Sequence, residues 1–390
     1  MGRHKKVPKR RFEGFTGEWE ERKLGEVVGI TMGQSPSGKN YTDNPNDYIL
    51  VQGNADIING WVTPRIWTTQ ITKTAKKGDI ILSVRAPVGD IGKTKYDVVL
   101  GRGVAGIRGN EFIFHYLSKM KNNRYWRRYS TGSTFESISS NDLNEATIRI
   151  PCEDEQQKIG NFFKKLDEVI SLQQRKLEKT KALKSAYLAE MFPDEGERVP
   201  KRRFAGFTEE WEVRKLGDFG SVAMNKRIFK EQTSEEGDVP FYKIGTFGGK
   251  PDAYISYELF EEYKAKYPYP EIGDILISAS GSIGRTVEYT GEDEYFQDSN
   301  IVWLKHDGRL NNLFLKQYYA IVKWEGLEGS TIKRLYNKNI LETQIKVPSL
   351  SEQQKIGEFF KQLDDKISIE QRKLDKLKAL KQAYLHEMFV

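Results

Sequence analysis

Residues 150–192 read IPCEDEQQKIGNFFKKLDEVISLQQRKLEKTKALKSAYLAEMF, and residues 347–389 read VPSLSEQQKIGEFFKQLDDKISIEQRKLDKLKALKQAYLHEMF. They are identical at 29 of 43 positions, at an offset of 197. A second pair, VPKRRFEGFTGEWEERKLG (7–25) and VPKRRFAGFTEEWEVRKLG (199–217), repeats at an offset of 192. The stretches between, 26–149 and 218–346, share only short echoes. Repeats at a fixed period are structural units, and a unit of this length is a duplicated domain rather than a turn of a solenoid.

The repeated segment reads as a helix. Pro151 and Pro348 end the strand-like runs TIRIP and QIKVP. Asp154 and Ser351 are the expected caps, with Gln157 and Gln354 three residues on in the capping-box position. Ile159, Phe162, Phe163, Leu166, Ile170, Leu177, Leu188 and Met191 then follow at helical spacing, with charged residues between them. A helix of about 37 residues is about 55 Å long at 1.5 Å per residue. That is too long for an ordinary helix of a compact domain, and its apolar stripe is too narrow to be buried all round. The two copies are expected to pair with each other, antiparallel, rather than each lie along its own domain. Gln173, Gln174, Glu370 and Gln371 weaken the middle of the stripe. Residues 7–25 have no helix before them, so symmetry of the halves predicts that they pack beside the end of the second helix, around Met388.

The expected fold is mixed α/β (α+β): two similar globular domains separated by two long, antiparallel paired helices, with pseudo-two-fold symmetry. The domain boundaries read as 1–150, 151–198 (helix), 199–347 and 348–390 (helix). A chain of 390 residues has room for both. Hydrophobic content of 38% and aromatic content of 12% allow real cores. There is no run of 18 apolar residues, so no membrane span or membrane partner is expected. The basic residues MGRHKKVPKRR lead into no apolar signal region, so secretion is not expected. The single cysteine, Cys152, fits a reducing cytoplasm. With His4, His115, His306 and His386 scattered, no Cys/His zinc site is expected.

Net charge is +7. Residues 20–150 carry 18 basic and 13 acidic side chains, whereas residues 212–347 carry 18 basic and 21 acidic. The first region fits a polyanionic partner as a whole, and the second only through a local basic patch. Acidic clusters at Glu231–Glu236, Glu258–Glu262 and Glu292–Glu294 should face away from such a partner.

Both variable regions are rich in short strand-like runs and turns. GDIILS (78–83) and GDILIS (273–278) echo each other, as do Gly132-Ser133-Thr134 and Gly329-Ser330-Thr331. They should share a fold and differ in surface. Three motifs carry little. Gly101-Arg102-Gly103-Val104-Ala105-Gly106 spells a dinucleotide fingerprint but lacks the acidic residue about 20 positions on. Gly33–Asn40 resembles a phosphate loop with Asn40 where Ser or Thr must hold magnesium. Asn44-Pro45-Asn46-Asp47-Tyr48 lacks the second proline of the adenine-methyltransferase motif. No nucleophile–base–orienter set is present, so no catalytic residue is assigned.

The arrangement resembles the DNA-specificity subunit of type I restriction–modification systems. The resemblance spans essentially the whole chain. It rests on the proline followed by EQQKIG-x-FF-x-x-LD and QRKL-x-x-x-KALK-x-A-Y-L-x-E-M-F, on the flanking PKRRF-x-GF-x-x-x-W-x-x-x-KLG, and on the Gly-Ser-Thr turns. It implies two target-recognition domains, each reading half of a split double-stranded DNA sequence, with the helices as spacer. It also implies two modification subunits that carry S-adenosylmethionine and methylate adenine, and a restriction subunit that can join them. This chain would hold no cofactor or metal and no enzymatic activity of its own. A stand-alone DNA-binding regulator on the same framework is the alternative, and a coiled-coil scaffold without DNA a third.

Adenine N6 is buried in the base stack, so the methylating partner must flip the base out while another protein chooses where. Base discrimination calls for Arg, Lys, Asn or Gln in the major groove, and phosphate contacts position the complex. The candidates in the first region are Lys73, Lys76, Lys77, Arg85, Arg102, Arg124, Arg127 and Arg128, with Tyr125 and Trp126 interleaved, and Ser133 and Thr134 for phosphate. Those in the second are Lys226, Arg227, Lys243, Lys250, Arg285, Ser330, Thr331, Lys333, Arg334 and Tyr336. For each of them an ordinary solvated or core role competes.

Overall fold

Each repeated segment folds as one uninterrupted helix, Glu153–Met191 and Leu350–Met388, in the computed structural model, which describes residues 7–126, 137–324 and 333–390. Both start earlier than the capping pattern predicts, so Asp154 and Ser351 lie inside the first turn. The first helical bonds run from Gln156 N–H to the Cys152 carbonyl and from Gln353 N–H to the Ser349 carbonyl, each at 3.0 Å. The early start turns Glu155 and Glu352 inward. Each is buried and takes a two-pronged hydrogen bond, from Arg11 and Arg203 respectively. The side-chain amides of Gln156 and Gln353 fold back onto the carbonyls of Pro151 and Pro348, both at 3.0 Å.

The chain divides into two compact units: Met1–Gln174 with Arg372–Val390, and Arg175–Gln371. Both helices cross this division. In unit 1, Phe162 meets Tyr384 (5.2 Å between rings) and Asp167 pairs with Lys381 at 2.5 Å. Partners thus descend as positions ascend, so the helix segments are antiparallel. In unit 2, Tyr187 meets Phe359 (5.0 Å), Lys184 pairs with Asp364 at 2.6 Å and Lys176 with Glu370 at 2.6 Å, again antiparallel. Glu370, in the polar middle of the stripe, is buried.

The VPKRRF segments dock on helix ends as the repeat predicts. In unit 1, Arg10 N–H donates to the Glu387 carbonyl at 3.0 Å, and its guanidinium binds the Glu387 carboxylate. In unit 2, Arg202 N–H donates to the Glu190 carbonyl at 2.8 Å, and its guanidinium binds Glu190. Trp19 sits edge-on to Phe389, as Trp211 does to Phe192. The chain's opening segment therefore occupies, against the last helix turn, the place that the 192–204 link occupies against the first helix.

Unit 1 holds two sheets. One has the order Gly29–Met32, Val104–Arg108, Ile80–Ser83, Ile91–Lys93, Trp61–Val62, Ile57–Ile58. The other runs Tyr41–Thr42, Ile66–Thr68, Tyr48–Val51, Val98–Leu100, Lys73–Ala75. The run Ile80–Leu82 is apolar without alternation because both faces of its strand are buried. Ile81 packs between the sheets with Val51, Val98 and Leu100, while Ile80 and Leu82 face helix Glu111–Asn122. That helix, capped by Asn110, meets the long helix at Gly160, where an added Cβ would lie 2.7 Å from the Glu111 Cβ and 2.9 Å from Phe112 N.

Unit 2 follows the same plan with fewer strands. Its sheets run Gly220–Ala223, Ile301–His306, Ile275–Ser278, Thr286–Glu288, and Tyr254–Ile255, Val239–Tyr242, Tyr295–Phe296. Helix Asn312–Ile321 meets the long helix at Gly357, and helix Tyr257–Lys266 has no counterpart among the described residues of unit 1. In each unit a short antiparallel pair closes the domain: Glu20–Lys23 with Thr147–Ile150, and Glu212–Lys215 with Gln344–Val347. No helix among the described residues is long and apolar enough to cross a membrane.

Candidate nucleic-acid interface

Strand Val98–Leu100 runs parallel to Tyr48–Val51 with Leu100 opposite Val51, so Gly101-Arg102 and Gln52-Gly53 leave the sheet side by side. Strand Ile80–Ser83 ends at the same edge, with Ser83 opposite Val104. The three exits frame a cleft of ≈ 450 Å³ lined by Ser35, Gln52, Asn54, Ser83, Arg85 and Arg102, together with Gly53, Ala86 and Gly103. None of these residues is acidic. Two exposed guanidinium groups therefore stand among neutral donors and acceptors, which suits a polyanion with readable edges.

The cleft's backbone is held from below. Arg102 N–H donates to Ser35 Oγ at 3.0 Å, and the Gln52 amide donates to Tyr41 OH at 3.0 Å. Buried Asp56 accepts from the backbone of Gln52 (2.7 Å) and Gly53 (3.2 Å). Ser83 Oγ lies 2.9 Å from the Arg85 carbonyl and 3.0 Å from that of Pro87. Glycines of the apparent dinucleotide fingerprint and of the run that resembles a phosphate loop serve close packing instead. A Cβ on Gly103 would lie 2.1 Å from the Gln52 carbonyl, and one on Gly33 would lie 2.0 Å from that of Gly101.

The other candidates of the first region divide. Lys73 stands opposite Leu100, at the cleft end of its strand. Lys76 and Lys77 follow at the opposite end. Lys76 pairs with Asp97 at 2.8 Å, and this bond together with the Lys77 amide holds the Asp97 carboxyl below the usual carboxylate range. Arg124 is exposed just beyond helix Glu111–Asn122, in the left-handed region at φ 54°. Trp126 is core, lying under Gly89, and half-buried Tyr125 accepts a bond from Thr147 N–H at 3.1 Å. Arg127, Arg128, Ser133 and Thr134 lie outside the described residues.

In unit 2 most basic candidates already have partners. Arg227 binds Asp298 at 2.9 Å and Lys243 binds Asp252 at 2.8 Å. Lys226 lies 5.0 Å above the Tyr267 ring, and Arg285 donates to the Phe247 carbonyl at 2.7 Å. Lys250, Lys333 and Tyr336 are exposed. Arg334 bonds the side-chain oxygen of Asn300 at 3.4 Å, which also accepts from Ser280 Oγ at 2.7 Å. Ser330 and Thr331 lie outside the described residues.

Reading the sequence by charge passed over Ser35, Gln52, Asn54, Ser280 and Asn300. The signal available was the echo GDIILS/GDILIS, because the residues two places beyond it, Arg85 and Ser280, stand at the corresponding edge of each unit.

A family profile described as "Type I restriction modification DNA specificity domain" matches residues 16–182 and again 208–379. A Haemophilus influenzae protein described as a type I restriction enzyme specificity subunit is 45% identical over 248 residues, 63% of this chain and 62% of that relative. The match thus spans less than two thirds of that relative's length. The MjaIX specificity subunit of Methanocaldococcus jannaschii is 24% identical over 422 residues, 95% of this chain and 92% of its own. The crystal structure of a type I restriction–modification S subunit from M. genitalium superposes with a TM-score of 0.68 at 17% identity, covering 98% of this chain and 99% of that one. A chain from a type I system studied for complex assembly gives 0.54 at 22% identity, covering 95% and 97%. At these identities the two structures establish a shared fold.

Proposed function

This chain belongs to the type I restriction modification DNA specificity domain family, and on that premise we propose that it selects a bipartite double-stranded DNA target for adenine methylation by partner subunits. Each unit reads one half-site. The chain contributes no catalytic group, and its relatives are named as specificity subunits. Two modification subunits supply S-adenosylmethionine and flip the adenine, and a restriction subunit joins for cleavage.

The observation that carries this reading is the acid-free cleft holding Arg85 and Arg102 in a unit that the family profile covers. The profile's second match, over unit 2, supports two reading heads. Arginine and amide side chains on anchored strand ends supply the donors that distinguish base edges in a major groove. Exposed lysines around them supply phosphate contacts, which make binding salt-dependent.

The test is co-expression with the neighbouring modification subunit in a methylation-free host, followed by genome-wide mapping of N6-methyladenine. A split motif with a fixed unspecific gap, methylated on both strands, is the expected result. A folded chain that fails to co-purify with that subunit, yet binds one DNA site tightly alone, would instead identify a stand-alone regulator.

A further inference from the structure

Arg85 and Ser137 oppose each other in an isolated antiparallel bridge in unit 1, and Ser280 and Arg334 do so in unit 2. The two bridges are equivalent. Ile138 N–H donates to the Val84 carbonyl and Leu335 N–H to the Ala279 carbonyl, both at 2.8 Å. Val84 N–H donates to the Gly103 carbonyl at 2.9 Å and Ala279 N–H to that of Asn300 at 2.7 Å. The residue pair is the same but its order is exchanged: arginine comes from the first strand in unit 1 and from the second in unit 2. Bridged Cα atoms lie only about 4.5–5.5 Å apart, so both units present a guanidinium from nearly the same place.

The base beneath it is rigid in both. Ser83 Oγ holds the turn after it through the carbonyls of Arg85 and Pro87, and Ser278 Oγ does so through the Ser282 carbonyl (2.5 Å) and Arg285 N–H (2.9 Å). Trp126 packs on Gly89 and Trp324 on Gly284. Among the described residues, neither arginine is in an ion pair, unlike Arg227 and Lys243.

We infer that Arg85 and Arg334 each read one guanine of their half-site, with the guanidinium fork donating to O6 and N7. The inference rests on the DNA-recognition reading above. With no carboxylate partner among the described residues, and with Arg334 giving only a long 3.4 Å bond from Nη2 to Asn300, each arginine keeps a planar pair of donors for a base edge, a fixed fork that lysine lacks.

The test uses the full chain complexed with its modification subunit and compares methylation motifs of Arg85→Ala, Arg334→Ala and the exchange Arg85→Ser/Ser137→Arg. Arg85→Ala should relax one G·C position in one half-site by roughly 10–100-fold and leave the other half-site, an internal control for folding, unchanged. Arg334→Ala should do the reverse. The exchange should restore a guanine preference in the first half-site. Uniformly weaker methylation with an intact motif, and a salt dependence reduced by about one phosphate, would make these arginines backbone contacts and overturn the inference. A wild-type complex that yields no split motif would overturn the proposed function itself, and this inference with it.

Discussion

Arg11 places Nε and Nη2 on the two carboxylate oxygens of Glu155, each at 2.7 Å, and Glu155 is fully buried. Arg203 repeats the clamp on Glu352 at the same distances. The clamp ties the segment before each variable region to the first turn of the helix after it.

Removing one partner of a buried ion pair strands a charge and costs about 3–5 kcal/mol. Arg11→Ala should therefore destabilise unit 1 by about that much in chemical denaturation, and Arg203→Ala unit 2. A loss below about 1 kcal/mol for both would show that the clamp is not what holds these segments.

His115 is buried between Phe114 and Phe163, with both ring nitrogens lacking a hydrogen bond among the described residues and Nε2 3.8 Å from Asp167. Burial, then Lys381 and Lys93, push its pKa well below 6.5. Below pH 6.5 the unfolded chain takes up a proton that the folded chain refuses, so stability is lost as pH falls through that value. Unit 2 has Gln317 at this place, donating to Asp364 at 3.1 Å. His115→Gln should fold, keep or raise the melting temperature at pH 7, and lose less of it than wild type on acidification to pH 5. Parallel melting curves across that range would rule out a role for the histidine.

Lys76 and Lys77 stand at the end of their strand away from the cleft, with Lys76 on Asp97. Lys76→Ala/Lys77→Ala should leave specific DNA affinity of the complex within about twofold at physiological salt. Arg102→Ala should weaken it about tenfold or more. The reverse order in a titration at two salt concentrations would move the interface to the other edge of the sheets.

A fragment of residues 1–195 loses Tyr384 and Phe389, against which Phe162 and Phe163 pack. It retains Tyr187 and Phe192, which make the matching contacts in unit 2 with Phe359 and Phe360. Two fragments can thus cover each other's helix stripe. Sedimentation should show a dimer, and a monomer at micromolar concentration would mean that the helix stripe is not enough to drive pairing.

Much of the framework is legible in the residues. Duplication predicts two like units, and the apolar spacing predicts helices ending near Met191 and Met388. Repetition of VPKRRF predicts that Arg10 meets the second helix end as Arg202 meets the first. The capping pattern misplaced the helix starts by one or two residues because a buried clamp, invisible to local pattern, holds Glu155 and Glu352 inside the first turn. Sequence left Trp126 open between a basic aromatic patch and the core, and the structure makes it core, because it packs against Gly89.

The site is less legible. Sequence by itself determined the repeated scaffold, the helix pairing and the family resemblance, since these depend on periodic apolar residues and on identities carried twice. Only the tertiary structure decided which polar residues meet. Lys73 and Lys76 are neighbours in sequence but about 10 Å apart along one strand, at opposite edges. Arg85, Arg102 and Gln52 are far apart in sequence and share a cleft because three strands end at one edge. Strand register, set by burial of the faces, fixes where an exposed charge stands, and the charge itself carries no information about that register.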